Sequence, residues 1–107
     1  MAVAYGSWMT AQSGAVLVPA QAGKIIRVLK LVMTTWVGVK YMVQSDPGPD
    51  PLNLTPPLLV GAGCSLVLRL GRGLALATQR GKALGVSTTF SGSAGEHSLT
   101  VWYELVT

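Results

Sequence analysis

Short apolar runs that alternate with a period of two, broken by Gly or Pro about every ten residues, limit this chain to an all-β fold. In Val37 to Gln44, Val37, Val39, Tyr41 and Val43 share one face; Gly38, Lys40, Met42 and Gln44 share the other. Cys64 to Leu70 alternates in the same way, with Cys64, Leu66, Leu68 and Leu70 opposite Ser65, Val67 and Arg69. Lys82 to Phe90 aligns Leu84, Val86, Thr88 and Phe90. Ser98 to Val106 turns Leu99, Val101, Tyr103 and Leu105 inward, and Thr100, Trp102 and Glu104 outward. Ala15–Val18, Lys24–Thr34, Leu58–Val60 and Leu74–Thr78 complete a set of about eight strands, a number that suits two Greek keys in a jelly roll. The loop Ser45-Asp46-Pro47-Gly48-Pro49-Asp50-Pro51 excludes regular structure. Gly71-Arg72-Gly73 and Ser91 to Gly95 read as turns. The expected architecture is one antiparallel β-sandwich domain over residues 1–107, jelly-roll-like, with residues 1–13 as a possible N-terminal contact arm.

Such a sandwich needs a solvated exterior, and this chain has little with which to make one. Only 11% of its 107 residues are charged, against 50% hydrophobic, whereas soluble domains carry about 25% charged residues. Mean hydropathy is +0.48. No segment reads as a spanning helix. Ile25 to Val39 is interrupted by Arg27, Lys30 and Thr34-Thr35, and Leu52 to Leu68 by Pro56-Pro57 and Gly61-Ala62-Gly63. The first 23 residues carry no charge and lack the basic start of a signal peptide. The expectation is therefore no membrane partner, and a surface that other protein covers.

Catalytic chemistry needs a base, a nucleophile or a metal set. The single histidine, His97, stands beside Glu96 and reads as half of a solvated turn pair. One His and one Glu are too few for zinc, and Asp46 and Asp50 too few for calcium. The single cysteine, Cys64, reads as a small buried hydrophobe. Gly71-Arg72-Gly73 lacks the Lys-Ser/Thr of a phosphate loop. The chain is expected to be no enzyme, with no cofactor, metal or small-molecule substrate.

The contact candidates are aromatic and basic. Tyr5 and Trp8 lie in the uncharged N-terminal stretch, which either forms a subunit-contact arm or completes its own sheet. Trp36 sits at a hairpin, and Trp102 on the outward face of the last strand. Lys24 to Thr34 is apolar on both faces. Ile25, Arg27, Leu29, Leu31 and Met33 form one, and Ile26, Val28, Lys30, Val32 and Thr34 the other. That pattern suits either a sheet packed against another subunit or a central strand with an undemanding exterior. The net charge is +4, and no acid occurs between Pro51 and Gly95. Arg69, Arg72, Arg80 and Lys82 fall in that interval, so the segment could meet nucleic acid or an acidic protein surface. They are spaced along strands and turns, too dispersed for a nucleic-acid stripe, and read more simply as a solvated basic surface.

Leu17 to Met33 runs Leu-Val-Pro-Ala-Gln-Ala-Gly-Lys-Ile-Ile-Arg-Val-Leu-Lys-Leu-Val-Met. Gly81 to Val86 runs Gly-Lys-Ala-Leu-Gly-Val, with Leu99-Thr100-Val101-Trp102-Tyr103-Glu104 to follow. This order resembles small β-sandwich virion proteins of tailed bacteriophages, including capsid decoration (cement) proteins. The resemblance implies a structural protein made in the host cytoplasm and carried on the capsid surface, with the major capsid protein as partner. It also implies a homo-oligomer, with a trimer at a three-fold position as the expected arrangement. Tail, neck or head-fibre accessory proteins, either connectors or host-glycan-binding modules, are the alternative.

Overall fold

A computed structural model describes residues 2–70 and 76–107. Among them are ten strands: β1 (Ala2–Trp8), β2 (Ala15–Val18), β3 (Ile25–Thr35), β4 (Val39–Ser45), β5 (Leu52–Asn53), β6 (Leu58–Val60), β7 (Ser65–Arg69), β8 (Leu76–Ala77), β9 (Leu84–Phe90) and β10 (His97–Val106). They form two antiparallel sheets. The first, sheet A, has the order β1-β10-β3-β7, with β8 also on β3; the second, sheet B, has the order β2-β9-β4-β5, with β6 also on β4. Since β5 and β6 share one flank of β4, and β7 and β8 one flank of β3, each sheet has four strand positions. Numbered along the chain, those positions read 1-8-3-6 and 2-7-4-5. That is the jelly-roll order, in which successive strands mostly change sheet. Of Leu74–Thr78, expected as a strand, Leu76 and Ala77 form β8 and Thr78 lies just beyond it; Leu74 and Ala75 lie outside the described residues.

The alternations of β4 and β9, and that of β10 as far as Tyr103, stand as read, and their inward faces meet between the sheets; Leu105, expected inward, is exposed near the end of β10. Val39, Tyr41 and Val43 pack there with Leu84, Val86, Leu99 and Val101, all essentially inaccessible to solvent. The faces of β3 do not stand as read. Its register with β10 pairs Trp102 with Lys30 and Tyr103 with Val28, so Leu29 is an extra residue opposite no partner. Such a bulge shifts the strand by one residue and exchanges its faces. Ile26 and Val28 point inward before it; Leu31, Met33 and Thr35 point inward after it. The apparent two-sided apolarity of this strand arises largely from one apolar face whose phase changes at Leu29. The same bulge keeps Lys30 out of the core, where an unpaired ammonium would be very costly. It also coincides with the break on the other flank of β3. Lys30 pairs with Arg69 of β7, Val28 with Leu76 of β8, and the Leu70 amide donates to the Leu29 carbonyl at 2.8 Å. Deletion of Leu29 should remove the bulge and restore a strict period of two, with Ile26, Val28, Leu31 and Met33 still on one face and Lys30 still outward. The expected result is a retained cooperative melt in calorimetry; loss of the cooperative melt would refute the assignment.

The N-terminal segment is a strand of its own sheet. β1 pairs with β10 through seven consecutive residues, from Ala2 opposite Tyr103 to Trp8 opposite His97. Between Trp8 and β2 the chain crosses to the other sheet, where the Gln12 carbonyl accepts from the Thr88 amide at 2.9 Å. The proline-rich loop folds over the outer face of sheet B. There Gly85 leaves room for the Pro47 ring, which a Cβ would occupy. Beneath it Gln44, only 3% exposed, accepts from Ser87 Oγ at 2.9 Å and donates to Asn53 Oδ1 at 3.0 Å.

Tyr41 ties the two sheets together. Its fully buried ring carries a hydroxyl that lies 3.0 Å from the Ser98 carbonyl and 3.3 Å from that of Thr34. Burial pushes its phenol from 10.0 up to about 12. The folded state thus retains this proton more tightly than the unfolded chain. The resulting stability is fully present below pH 10.0 and is lost as pH rises towards about 12. Its full extent is on the order of 3 kcal/mol. Melting temperatures should fall over that interval, and Tyr41→Phe should lower stability at neutral pH while flattening the alkaline fall. An equally steep alkaline fall in Tyr41→Phe would show that other groups cause it.

Candidate interaction surface

His97 and Cys64 occupy environments opposite to those expected from sequence. His97 is 1% exposed. It is no solvated turn residue but the inward residue that opens β10, while Glu96 beside it is exposed. Its Nδ1 lies 3.0 Å from the Gly95 carbonyl and its Nε2 2.9 Å from Thr88 Oγ1. A carbonyl only accepts, which assigns the proton to Nδ1 and makes Nε2 the acceptor of the Thr88 hydroxyl. The same hydroxyl accepts the Gln12 amide at 3.0 Å. Three aromatic rings enclose the imidazole: Phe90 at 5.1 Å, Trp8 at 5.7 Å and Tyr41 at 6.0 Å. These contacts join β1, β4, β9 and β10 at one end of the sandwich. Trp8, expected at an interface, is therefore half-buried against the core, its ring folded back over Gly6. Cys64 is exposed rather than buried, because it precedes β7 in the turn from Gly61, where its thiol sits 3.6 Å from the Ala62 carbonyl.

Neither residue belongs to a reactive constellation. Among the described residues no three His, Cys, Asp or Glu side chains group together as for a metal ion. No buried side-chain nitrogen or oxygen there lacks a partner. Among the described residues no helix is long and apolar enough to cross a membrane. His97→Leu should cost about 1–3 kcal/mol in denaturant unfolding, since it strands the Thr88 hydroxyl and the Gly95 carbonyl. Thr88→Val should cost a similar amount, and the double variant less than the sum, because both remove one shared bond. Strict additivity would mean that the two side chains act independently.

The exposed chemistry lies on the outer face of sheet A. Registers across its strands place Val3, Trp102, Lys30 and Arg69 in one row. Tyr5, Thr100, Val32 and Val67 form the next row, and Ser7, Ser98, Thr34 and Ser65 the third. Side chains opposite one another on a sheet face lie about 5 Å apart at Cβ, so these rows form a continuous surface. Its first two rows are apolar, aromatic and basic; the third is hydroxylic. Tyr5 is 64% exposed, Val3 55% and Val67 48%. Lys30 Nζ lies 4.6 Å from the centroid of the Trp102 ring, a cation–π contact.

The charge on this face is unbalanced. Glu104 is held by Arg27 at 3.1 Å, and the other ion pair among the described residues joins Lys82 and Asp46 at 3.7 Å. Lys30 and Arg69 belong to neither. On the outer face of sheet B the chain's own proline loop covers part of the surface; Lys40, Leu59 and Thr89 form an exposed row there, and Val16 on β2 is also exposed.

Four of the residues singled out from sequence, Tyr5, Trp102, Lys30 and Arg69, thus meet on one surface. Trp8, Trp36, Arg80 and Lys82 do not join it. Trp36 is 71% exposed in the β3–β4 connection. Arg80 and Lys82 lie in the β8–β9 turn, where Arg80 donates to the Gly23 carbonyl at 3.0 Å. Arg72 lies outside the described residues. Val3 and Val67 were not among the contact candidates read from sequence, although Val67 shares the face of its run with Arg69 and Val3 stands opposite Trp102. Comparison with protein-family models finds no match, and neither does comparison with curated proteins.

Proposed function

We propose that this chain is a structural virion protein, a capsid decoration protein of a tailed bacteriophage, attached to the shell through the outer face of sheet A. The sequence resemblance supplies the class. The observation that carries the attachment face is the row Val3-Trp102-Lys30-Arg69, where exposed apolar and aromatic area adjoins two cations outside any ion pair. Such a surface suits an acidic patch of the major capsid protein. Apolar contact supplies affinity, while Lys30 and Arg69 supply orientation and encounter rate. The mechanism is mechanical. Each bound copy bridges neighbouring capsid subunits and adds interface area that resists internal pressure, without a chemical step. Copies arranged by closed symmetry fit this role.

Sedimentation with capsids stripped of the protein tests the proposal. Trp102→Asp and the pair Lys30→Glu/Arg69→Glu should each weaken attachment at least tenfold, a loss of about 1.4 kcal/mol or more. Lys40→Glu, on the opposite sheet, should bind like the parent. Added salt should weaken parental binding and have less effect on the charge-reversed pair. Undiminished attachment of the sheet A variants, or microscopy that locates the protein in the tail or on a fibre, would remove this reading.

A further inference from the structure

Among the described residues β1 is the outermost strand of sheet A, and only β10 pairs with it. An edge strand presents a row of amide and carbonyl groups to any passing chain, and proteins normally block such rows with prolines, charges, bulges or brevity. The other sheet edges here carry those blocks. β2 has four residues, an irregular register between Val16 and Val18, and Pro19 directly after it. β5 has two residues and β6 three, among Pro51, Pro56 and Pro57. β7 ends on Arg69, and β8 has two residues.

β1 has none of these features. It runs seven residues without charge, proline or register shift. Among the described residues, the hydrogen bonds made outside the strand ladders involve no atom of residues 2–8.

We propose that β1 pairs antiparallel with β1 of a second copy, joining the two A sheets into one. The strand is suited to itself. A two-fold axis at Tyr5 places Tyr5 opposite Tyr5, Val3 opposite Ser7, Ala4 opposite Gly6 and Ala2 opposite Trp8. Every pair in that register matches outward with outward and inward with inward, so neither core face is turned to solvent. No like charges meet, because β1 has none and the nearest cation of the outer face, Lys30, lies on β3 beyond β10. Tyr5 and Val3, now 64% and 55% exposed, would gain cross-strand neighbours from the twin.

Two-fold pairing consumes both free edges, so association stops at two chains instead of growing into a fibre. A three-fold ring would need β1 to join a different, receptive edge, and the remaining described edges are blocked. The dimer would merge two attachment faces into one of twice the width. It does not depend on the capsid reading, since it concerns the isolated protein.

Sedimentation equilibrium of the purified chain over a wide concentration range provides the test, with Tyr5→Lys and Tyr5→Asp as variants. Each variant sets like charges against each other on the two-fold axis, at a position exposed enough to leave the fold intact, as melting curves should show. The parent should rise from the mass of one chain to that of two. Each variant alone should stay at one chain, and an equimolar mixture should return to two as Lys meets Asp. A parent that remains a single chain, an oligomer that survives both substitutions, or a mixture that fails to reassociate overturns the proposal. Capsid attachment through Trp102, Lys30 and Arg69 would stand or fall separately.

Discussion

The unpartnered residue Leu29 sets the geometry on which the rest of the molecule depends. β3 is the longest strand, and its neighbours β10, β7 and β8 account for most of sheet A. Were Leu29 paired in a regular register, a strand that buries Ile26 and Val28 would also bury Lys30. With the bulge, the inward set becomes Ile26, Val28, Leu31 and Met33, and Lys30 emerges beside Trp102 and Arg69. The bulge thus brings Leu31 and Met33 into the core and leaves Lys30 on the exposed face. Bulges bend strands and re-aim side chains, and here the re-aimed side chain is a cation lying over an aromatic ring.

A second constraint acts at the opposite end of β10. His97 is the polar hub where β1, β4, β9 and β10 converge, and each of its ring nitrogens has a partner. The Gln12–Thr88–His97 chain fastens the segment that follows β1 to sheet B, while Trp8 packs against the imidazole. Together with the β10 ladder, these contacts hold an uncharged N-terminal strand in place. Order in this strand is what gives Tyr5 and Val3 fixed positions on the outer face. Core polarity and surface chemistry are therefore coupled through β1.

Much of the architecture was legible because period-two alternation survives wherever a strand is regular and buries one face. β4, β9 and β10 meet that condition, and Tyr41, Val86 and Val101 point where their neighbours in sequence indicate. β3 does not, because a bulge looks in sequence like a strand apolar on both sides. Trp102 was legible as outward because β10 carries no extra residue. His97 was misread because its partners, Thr88 and the Gly95 carbonyl, come from a different strand and a loop. Local context offered only the exposed Glu96. Cys64 appeared to extend the alternation of β7, yet the turn from Gly61 ends just where it stands, so its side chain remains in solvent. For Trp8 both a contact arm and a strand of its own sheet stood open, because nothing in the first residues reveals that β10 will pair with them.

The amino-acid sequence by itself determined that this chain folds as a jelly-roll-like sandwich with few charges to spare for its exterior. Strand alternation and turn residues are local properties, and they act before any long-range contact exists. Only the tertiary structure decided which aromatic and basic residues share a surface. Tyr5, Lys30, Arg69 and Trp102 are distant in sequence and come from four strands. Their rows depend on cross-strand register, and that register is set by packing of the buried faces and by the bulge at Leu29. The tertiary structure also decided which sheet edge remains open, because a strand becomes an edge only when the others have taken their places.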